Sequence, residues 1–171
     1  NARIVDELHF MRKTVVDGSN VSGFQRTGLV AVDGYIDTSK GRVKIDTICL
    51  EEESAKKLEE KKHIVRYRLD RLGVPLIEIA TDASIKDPEH AKEAASILGM
   101  MLRSTGKVRR GLGSIRQDVN VSIKGHPRVE IKGFQEIKTM PKIIENEIKR
   151  QVEDAEKKVD EFYIKVEEQS P

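Results

Sequence analysis

The sequence holds one cysteine, almost no net charge and no long apolar run, and each scarcity excludes a class of protein. Cys49 alone cannot build an internal disulfide framework, and its place in an apolar, strand-like run fits a reducing compartment, the cytosol. Four scattered histidines, His9, His63, His90 and His126, add no zinc-ligand spacing to it. No apolar stretch approaches the roughly 18 residues that cross a bilayer, and the N-terminus lacks the tripartite pattern of a signal peptide. Thirty-one basic residues against 29 acidic ones leave a charge of +2, so the strong positive field of a dedicated nucleic-acid binder is missing and any RNA contact must be local. Nothing repeats at a fixed period. No P-loop or dinucleotide fingerprint occurs, and Ser19 and Ser22 have no neighbouring His and Asp that would make a nucleophile.

What is present is charge, 35% of the residues, alongside a 37% apolar fraction sufficient for a core. The length predicts one compact unit, and a start at Asn1 rather than methionine reads as a segment of something longer. Leu29 to Ile36 and Val43 to Leu50 are β-branched apolar runs joined across Thr38-Ser39-Lys40-Gly41, a predicted hairpin, with Asp33-Gly34 as a kink or bulge. Glu51 to Lys62 is dense in helix formers and predicts a short helix. Val65, Tyr67 and Leu69 alternate with polar residues as in a half-buried strand, and Leu76 to Thr81 forms another strand, apolar except for Glu78. Asp87-Pro88 is a helix cap and first position, followed by Ala91, Ala94, Ala95, Leu98, Met101 and Leu102 at helical spacing, with an end near Gly106. Ile115 to Ile123 and Arg128 to Lys132 alternate. If they pair with equal parity through a loop of three or five residues, Asp118, Asn120, Glu130 and Lys132 share one face. A closing helix from Pro141 turns Ile144, Ile148, Val152, Ala155 and Val159 inward. The mixture of strands and helices, with mostly antiparallel neighbours, predicts an α+β fold: an antiparallel sheet with flanking helices.

Glu78 is the sharpest single signal, because a carboxylate inside an apolar strand must face a cation, pair with Arg66, Arg68 or Arg71, or lie on an exposed edge. Asp118 and Glu130, with Asn120 beside them, form either a hard-oxygen site suited to Mg²⁺ or a solvated face of cross-strand ion pairs. One of Glu51, Glu52 and Glu53 either joins such a site or compensates a helix dipole. The loop Lys107 to Ser114, with Arg116, is basic and glycine-bearing, able to cradle a phosphate or to stand as a plain surface turn.

The strings FMRKTVVDGSNVSGFQRT (Phe10 to Thr27), YRLDRLGVPLIEIAT (Tyr67 to Thr81), KVRRGLGSIRQDVNVSI (Lys107 to Ile123) and VEIKGFQEI (Val129 to Ile137) resemble the GatB/GatE family of tRNA-dependent amidotransferases. The wording sits nearer the archaeal GatE proteins of glutamyl-tRNA(Gln) amidotransferase than the bacterial GatB proteins. The resemblance implies a protein that uses ATP and Mg²⁺ to phosphorylate glutamate misacylated onto tRNA(Gln), after which ammonia displaces the phosphate. It implies an asparaginase-like partner, GatD, in a heterodimer or a dimer of heterodimers, and a fold like that of glutamine synthetase and the guanido kinases. By motif position it makes Glu51, Glu78, Asp118 and Glu130 metal ligands. Arg116 and Lys132 become candidates for the phosphates, and Ser19, Ser22, Gln25 and Asn120 for the substrate or nucleotide side. A bacterial-type GatB that also acts on Asp-tRNA(Asn), and a non-catalytic tRNA-binding or assembly module, are the alternatives. The family usually writes LEED where this chain has LEEE, which leaves open which glutamate turns inward. The family's N-terminal glutamate-and-histidine segment, its inserted domain and its C-terminal tRNA-binding domains are not matched, so residues 1–171 are expected to be a fragment of the catalytic domain. The stretch after Gln151 carries no resemblance of its own.

Overall fold

A computed structural model describes residues 1–111, 113–134 and 136–167, the stretch 156–167 by its helical backbone alone. The chain forms two compact units rather than the single one expected, residues 1–84 and the part from residue 85 onward. Among the described residues each strand ladder is completed within one unit. Together they make an α+β protein with antiparallel sheets, as predicted.

The first unit is built on two long strands, β3 (Phe24–Thr38) and β4 (Gly41–Glu52), which form the predicted hairpin. Its turn is closed by the Thr38 hydroxyl, which donates to the Gly41 carbonyl at 2.6 Å. Along the free side of β3 lie β1 (Arg3–Ile4) and β2 (Phe10–Thr14), and β7 (Pro75–Thr81) pairs with β4. The kink falls at Asp33, whose φ of 56° is left-handed, while the bulge itself lies at Val30, between the pairs Leu29–Cys49 and Ala31–Ile48. Ile36, Val43 and Ile45 are buried on the same side as Gly34, where Ala2 packs so closely that a Cβ would meet it at 3.1 Å.

The predicted helix over Glu51 to Lys62 is replaced by strand. β4 runs on through Glu52, and β5 (Lys56–Lys61) pairs with β6 (Ile64–Arg68) across a two-residue turn. Helix propensity loses here to cross-strand and tertiary partners. Glu59 meets Arg66 at 2.9 Å, Ala55 N–H donates to the Ser19 carbonyl at 2.8 Å, and the Tyr67 hydroxyl donates to the Asp17 carbonyl. Val65 is more exposed than a half-buried strand predicts, whereas Tyr67 is partly buried.

In the second unit α1 (Pro88–Ser104) starts as predicted: the Asp87 carboxylate accepts from the His90 N–H at 2.9 Å, and proline opens the first turn. His90 is itself buried, its Nδ1 accepting from the Lys86 N–H at 3.1 Å. The hairpin β8 (Gln117–Val121) and β9 (Val129–Phe134) pairs with the predicted equal parity, Val119 with Ile131 and Val121 with Val129. Its connection, however, runs from residue 122 to residue 128, longer than three or five. The reason is Gln151 of α2 (Met140–Glu167), which follows a short 3₁₀ turn at Ile137–Thr139. Its side chain accepts from the Ile123 N–H at 3.1 Å and donates to the Val121 carbonyl at 3.2 Å, so the groups that would extend the ladder are already bonded. The core gathers Ala91, Val121, Phe134, Met140 and Ile144, with Ile131 and Ile148 packed against it. The inward stripe of α2 therefore passes through Gln151, and Val152, expected inside, is 42% exposed. Val159 lies outside the residues whose side chains are described.

Candidate functional site

Register in the first unit decides which acids meet. Thr27 pairs with Glu51 and Cys49 with Glu78, so all four share a sheet face, and Gln25, which pairs with Lys13, belongs to that face as well. Glu51 and Glu78 are thus diagonal neighbours on β4 and β7, and their carboxyl groups are within hydrogen-bonding reach. The Lys13 ammonium forms an ion pair with Glu51 Oε1, and the Thr27 hydroxyl donates to the same oxygen at 3.1 Å. Only 11% of the Glu51 side chain is exposed. Burial pushes its carboxyl up, but the Lys13 ammonium, the Glu78 carboxyl and the Thr27 hydroxyl together hold it below its ordinary value.

The neighbouring glutamates turn elsewhere. Glu52 faces the opposite side and takes Arg26, whose guanidinium lies 2.6 Å away and whose backbone N–H donates at 3.0 Å; these bonds lower its pKa. Glu53 lies 3.9 Å from Arg71, and its backbone exchanges hydrogen bonds with Gly73 and Val74. Glu51 is therefore the member of the LEEE run that joins Glu78. Glu78 is exposed on β7, the edge strand of the sheet, as one of its three expected placements had it, while Arg66 pairs with Glu59, Arg68 with Asp70 and Arg71 with Glu53. A cleft of about 270 Å³ opens beside this end of β4, lined by Glu51 and Glu52 together with Phe10, Arg26, Leu50, Gly73 and Pro75.

In the second unit the expected polar face is formed. Asp118, Asn120, Glu130 and Lys132 are exposed and Asn120 lies directly opposite Glu130. Glu130 is paired with Lys132 at 3.1 Å, and Asp118 Oδ1 accepts from the Gly133 N–H at 2.7 Å, holding the irregularity where β9 carries an extra residue. Arg116 lies just before β8, exposed. The loop from Lys107 to Ser114 is largely exposed; Leu112 within it lies outside the described residues.

Of the residues expected on the substrate side, Ser19 donates to Asp17 Oδ1 at 2.6 Å, Ser22 to the Phe24 carbonyl at 2.9 Å, and Gln25 to the Glu52 carbonyl at 2.6 Å. Only Gln25 belongs to the face of the carboxyl pair. Lys13 and Thr27 were missed from sequence, although both lie inside the first recognisable string.

Among the described residues no three of His, Cys, Asp and Glu converge on one point. Two adjacent carboxyl groups with a hydroxyl nonetheless suit Mg²⁺, which takes one or two protein carboxylates and completes its shell with water and substrate phosphate. The donors of Glu51, Glu78 and Thr27 are hard oxygens suited to such a cation, and the free thiol of Cys49 shares their sheet face.

Residues 1–168 match the model of the GatB/GatE catalytic domain. The chain belongs to that family. It is 60% identical over 152 residues to the GatE protein of the glutamyl-tRNA(Gln) amidotransferase of Thermococcus gammatolerans, 59% to that of Methanosarcina acetivorans and 55% to that of Methanothermobacter thermautotrophicus. Each alignment covers 89% of this chain and 24% of the relative, so the chain spans about a quarter of the length of the GatE proteins it matches. The GatB/GatE match continues past Gln151, where string resemblance ended. No helix among the described residues is long and apolar enough to cross a membrane.

Proposed function

We propose that this chain carries part of the ATP- and Mg²⁺-dependent site that phosphorylates the glutamyl group of Glu-tRNA(Gln) and prepares it for amidation to Gln-tRNA(Gln). The observation that carries the reading is the Glu51–Glu78 pair, two carboxyl groups side by side on one sheet face with the Thr27 hydroxyl on the first. Phosphoryl transfer needs positioning and neutralised charge more than covalent chemistry from the protein. Glu51 and Glu78 would hold a divalent cation, which would supply that neutralisation when bound. Thr27 orients the Glu51 carboxylate, and the sheet fixes both acids before substrate arrives. In the second unit Asp118 and Glu130 are assigned cation-holding roles, Arg116 and Lys132 phosphate contacts, and Asn120 a place on the nucleotide or substrate side, with Ser19, Ser22 and Gln25 serving the substrate from the first unit. The same reading makes the fold a relative of glutamine synthetase and the guanido kinases, places the protein in the cytoplasm and gives it a GatD-like asparaginase-type partner as its ammonia source. The chain is then a portion of the catalytic domain, with tRNA held mainly by domains beyond it.

The test is single-turnover glutamyl phosphorylation by a full-length GatE bearing these residues, assayed with its partner. Glu51→Gln and Glu78→Gln should each lower the rate roughly 10²–10⁴-fold, the equivalent of about 3–5 kcal/mol. Glu52→Gln, on the other face, should stay within a few-fold of wild type. Wild-type rates in both Glu51→Gln and Glu78→Gln would overturn the proposal.

A further inference from the structure

The feature that the metal reading does not use is the position of Lys13. Its ammonium lies on the Glu51 oxygen that also receives the Thr27 hydroxyl, and Glu51 is within hydrogen-bonding reach of Glu78. Two neighbouring carboxylates repel each other, and a cation beside them relieves that repulsion. We propose that Lys13 is a built-in stand-in for the divalent cation: it occupies the cation's place while the site is empty and must leave Glu51 when the metal binds. The inference rests on the cation reading above.

Two structural contrasts support it. Glu51 sits on β4, between β3 and β7, and is 11% exposed, so it is fixed. Lys13 sits on β2, which among the described residues pairs with β3 alone; all five residues of that strand are exposed, and its own side chain is 45% exposed. A flexible four-carbon stem ending in a strongly hydrated charge can swing into water at low cost, as an arginine fork could not. An ion pair with one partner half in water is a weak bond, so the lysine protects the empty site without locking it. Its removal should raise metal affinity, whereas removing a group that supports the metal should lower it.

The experiment uses this chain and Mn²⁺ as the probe, read by calorimetry and by electron paramagnetic resonance. Lys13→Met should bind Mn²⁺ about 2- to 10-fold more tightly than wild type, as expected for removal of a weak internal competitor. It should also melt lower without metal and show a larger rise in Tm when metal is added. Unchanged or weaker binding by a folded Lys13→Met chain would overturn the stand-in role and leave the metal reading intact, whereas no binding by either protein would overturn both. A measurement on wild type alone keeps the inference testable if the variant fails to fold. Mg²⁺ should raise the reactivity of Lys13 toward an amine-acylating reagent, mapped by peptide mass, and reactivity unchanged at saturating Mg²⁺ would overturn it.

Discussion

Glu147 and Gln151 illustrate how one turn of helix fixes a strand end. The Glu147 carboxylate accepts from Arg150 through two nitrogens, at 2.9 and 2.7 Å, and from Gln151 Nε2 at 2.8 Å, while Gln151 bonds both Val121 and Ile123. The Arg150 guanidinium, and after it the Gln151 amide, hold the Glu147 pKa down at about 2 against an ordinary 4.5. A group whose pKa is depressed on folding adds stability above its unfolded value and loses it as pH falls through the folded one. Glu147 should therefore contribute fully above pH 4.5 and lose its contribution progressively down to about 2. The expected outcome is that Glu147→Gln is less stable than wild type at neutral pH and that the gap closes across this window. Urea unfolding midpoints at a series of pH values check it; a gap constant with pH would show that the carboxylate charge contributes nothing.

At the scale of elements, the β5–β6 hairpin carries the clearest local conflict. Lys62, in its two-residue turn, has a φ of 44°, a left-handed conformation that costs a side chain about 1–2 kcal/mol and glycine almost nothing. Lys62→Gly should stabilise the chain by up to about 1 kcal/mol, part of the relief being offset by the greater freedom of the unfolded glycine. A higher denaturant midpoint at unchanged slope is the expected reading, and a lower midpoint would mean that Lys62 has a partner worth more than its strain. This hairpin also marks the limit of what sequence reveals. The Asp87-Pro88 helix start, the β3–β4 hairpin and the β8–β9 parity were legible because each depends on residues within a few positions. The strand at Lys56–Lys61 was not, since what holds it is the pairing with β6, Glu59 meeting Arg66, while Ser19 ties down Ala55 before it and Asp17 ties down Tyr67 of its partner, and these contacts outweigh a helical composition. Lys13 was invisible for the same reason. It meets Glu51 only through the registers of β2 on β3 and β3 on β4, and no spacing in the string contains that information. Gln151 was passed over because an amide in an apolar stripe reads as solvent-facing until the strand end it bonds is known.

For the whole molecule, the acids assigned to chemistry are divided between two units, Glu51 and Glu78 in the first and Asp118 and Glu130 in the second. The second pair is the harder to assign, because Asp118 already has structural work. Its Oδ1 accepts from the Gly133 N–H where β9 carries its extra residue, and Gly133 there has a φ of 75°. Loss of activity after any substitution could then reflect a collapsed hairpin rather than a lost cation ligand. Asn and Ala separate the two. Asp118→Asn keeps an oxygen in place for Gly133 and removes only the charge, whereas Asp118→Ala removes both and should cost about 1 kcal/mol or more in stability for the unpaired N–H. In a full-length GatE with its partner, the Asn variant should keep wild-type stability, tRNA affinity and ammonia release while glutamyl phosphorylation falls roughly 10²–10⁴-fold. Normal phosphorylation in the Asn variant, with a defect confined to Ala, would reduce Asp118 to a strand clamp and leave Glu51 and Glu78 as the acids that hold the cation.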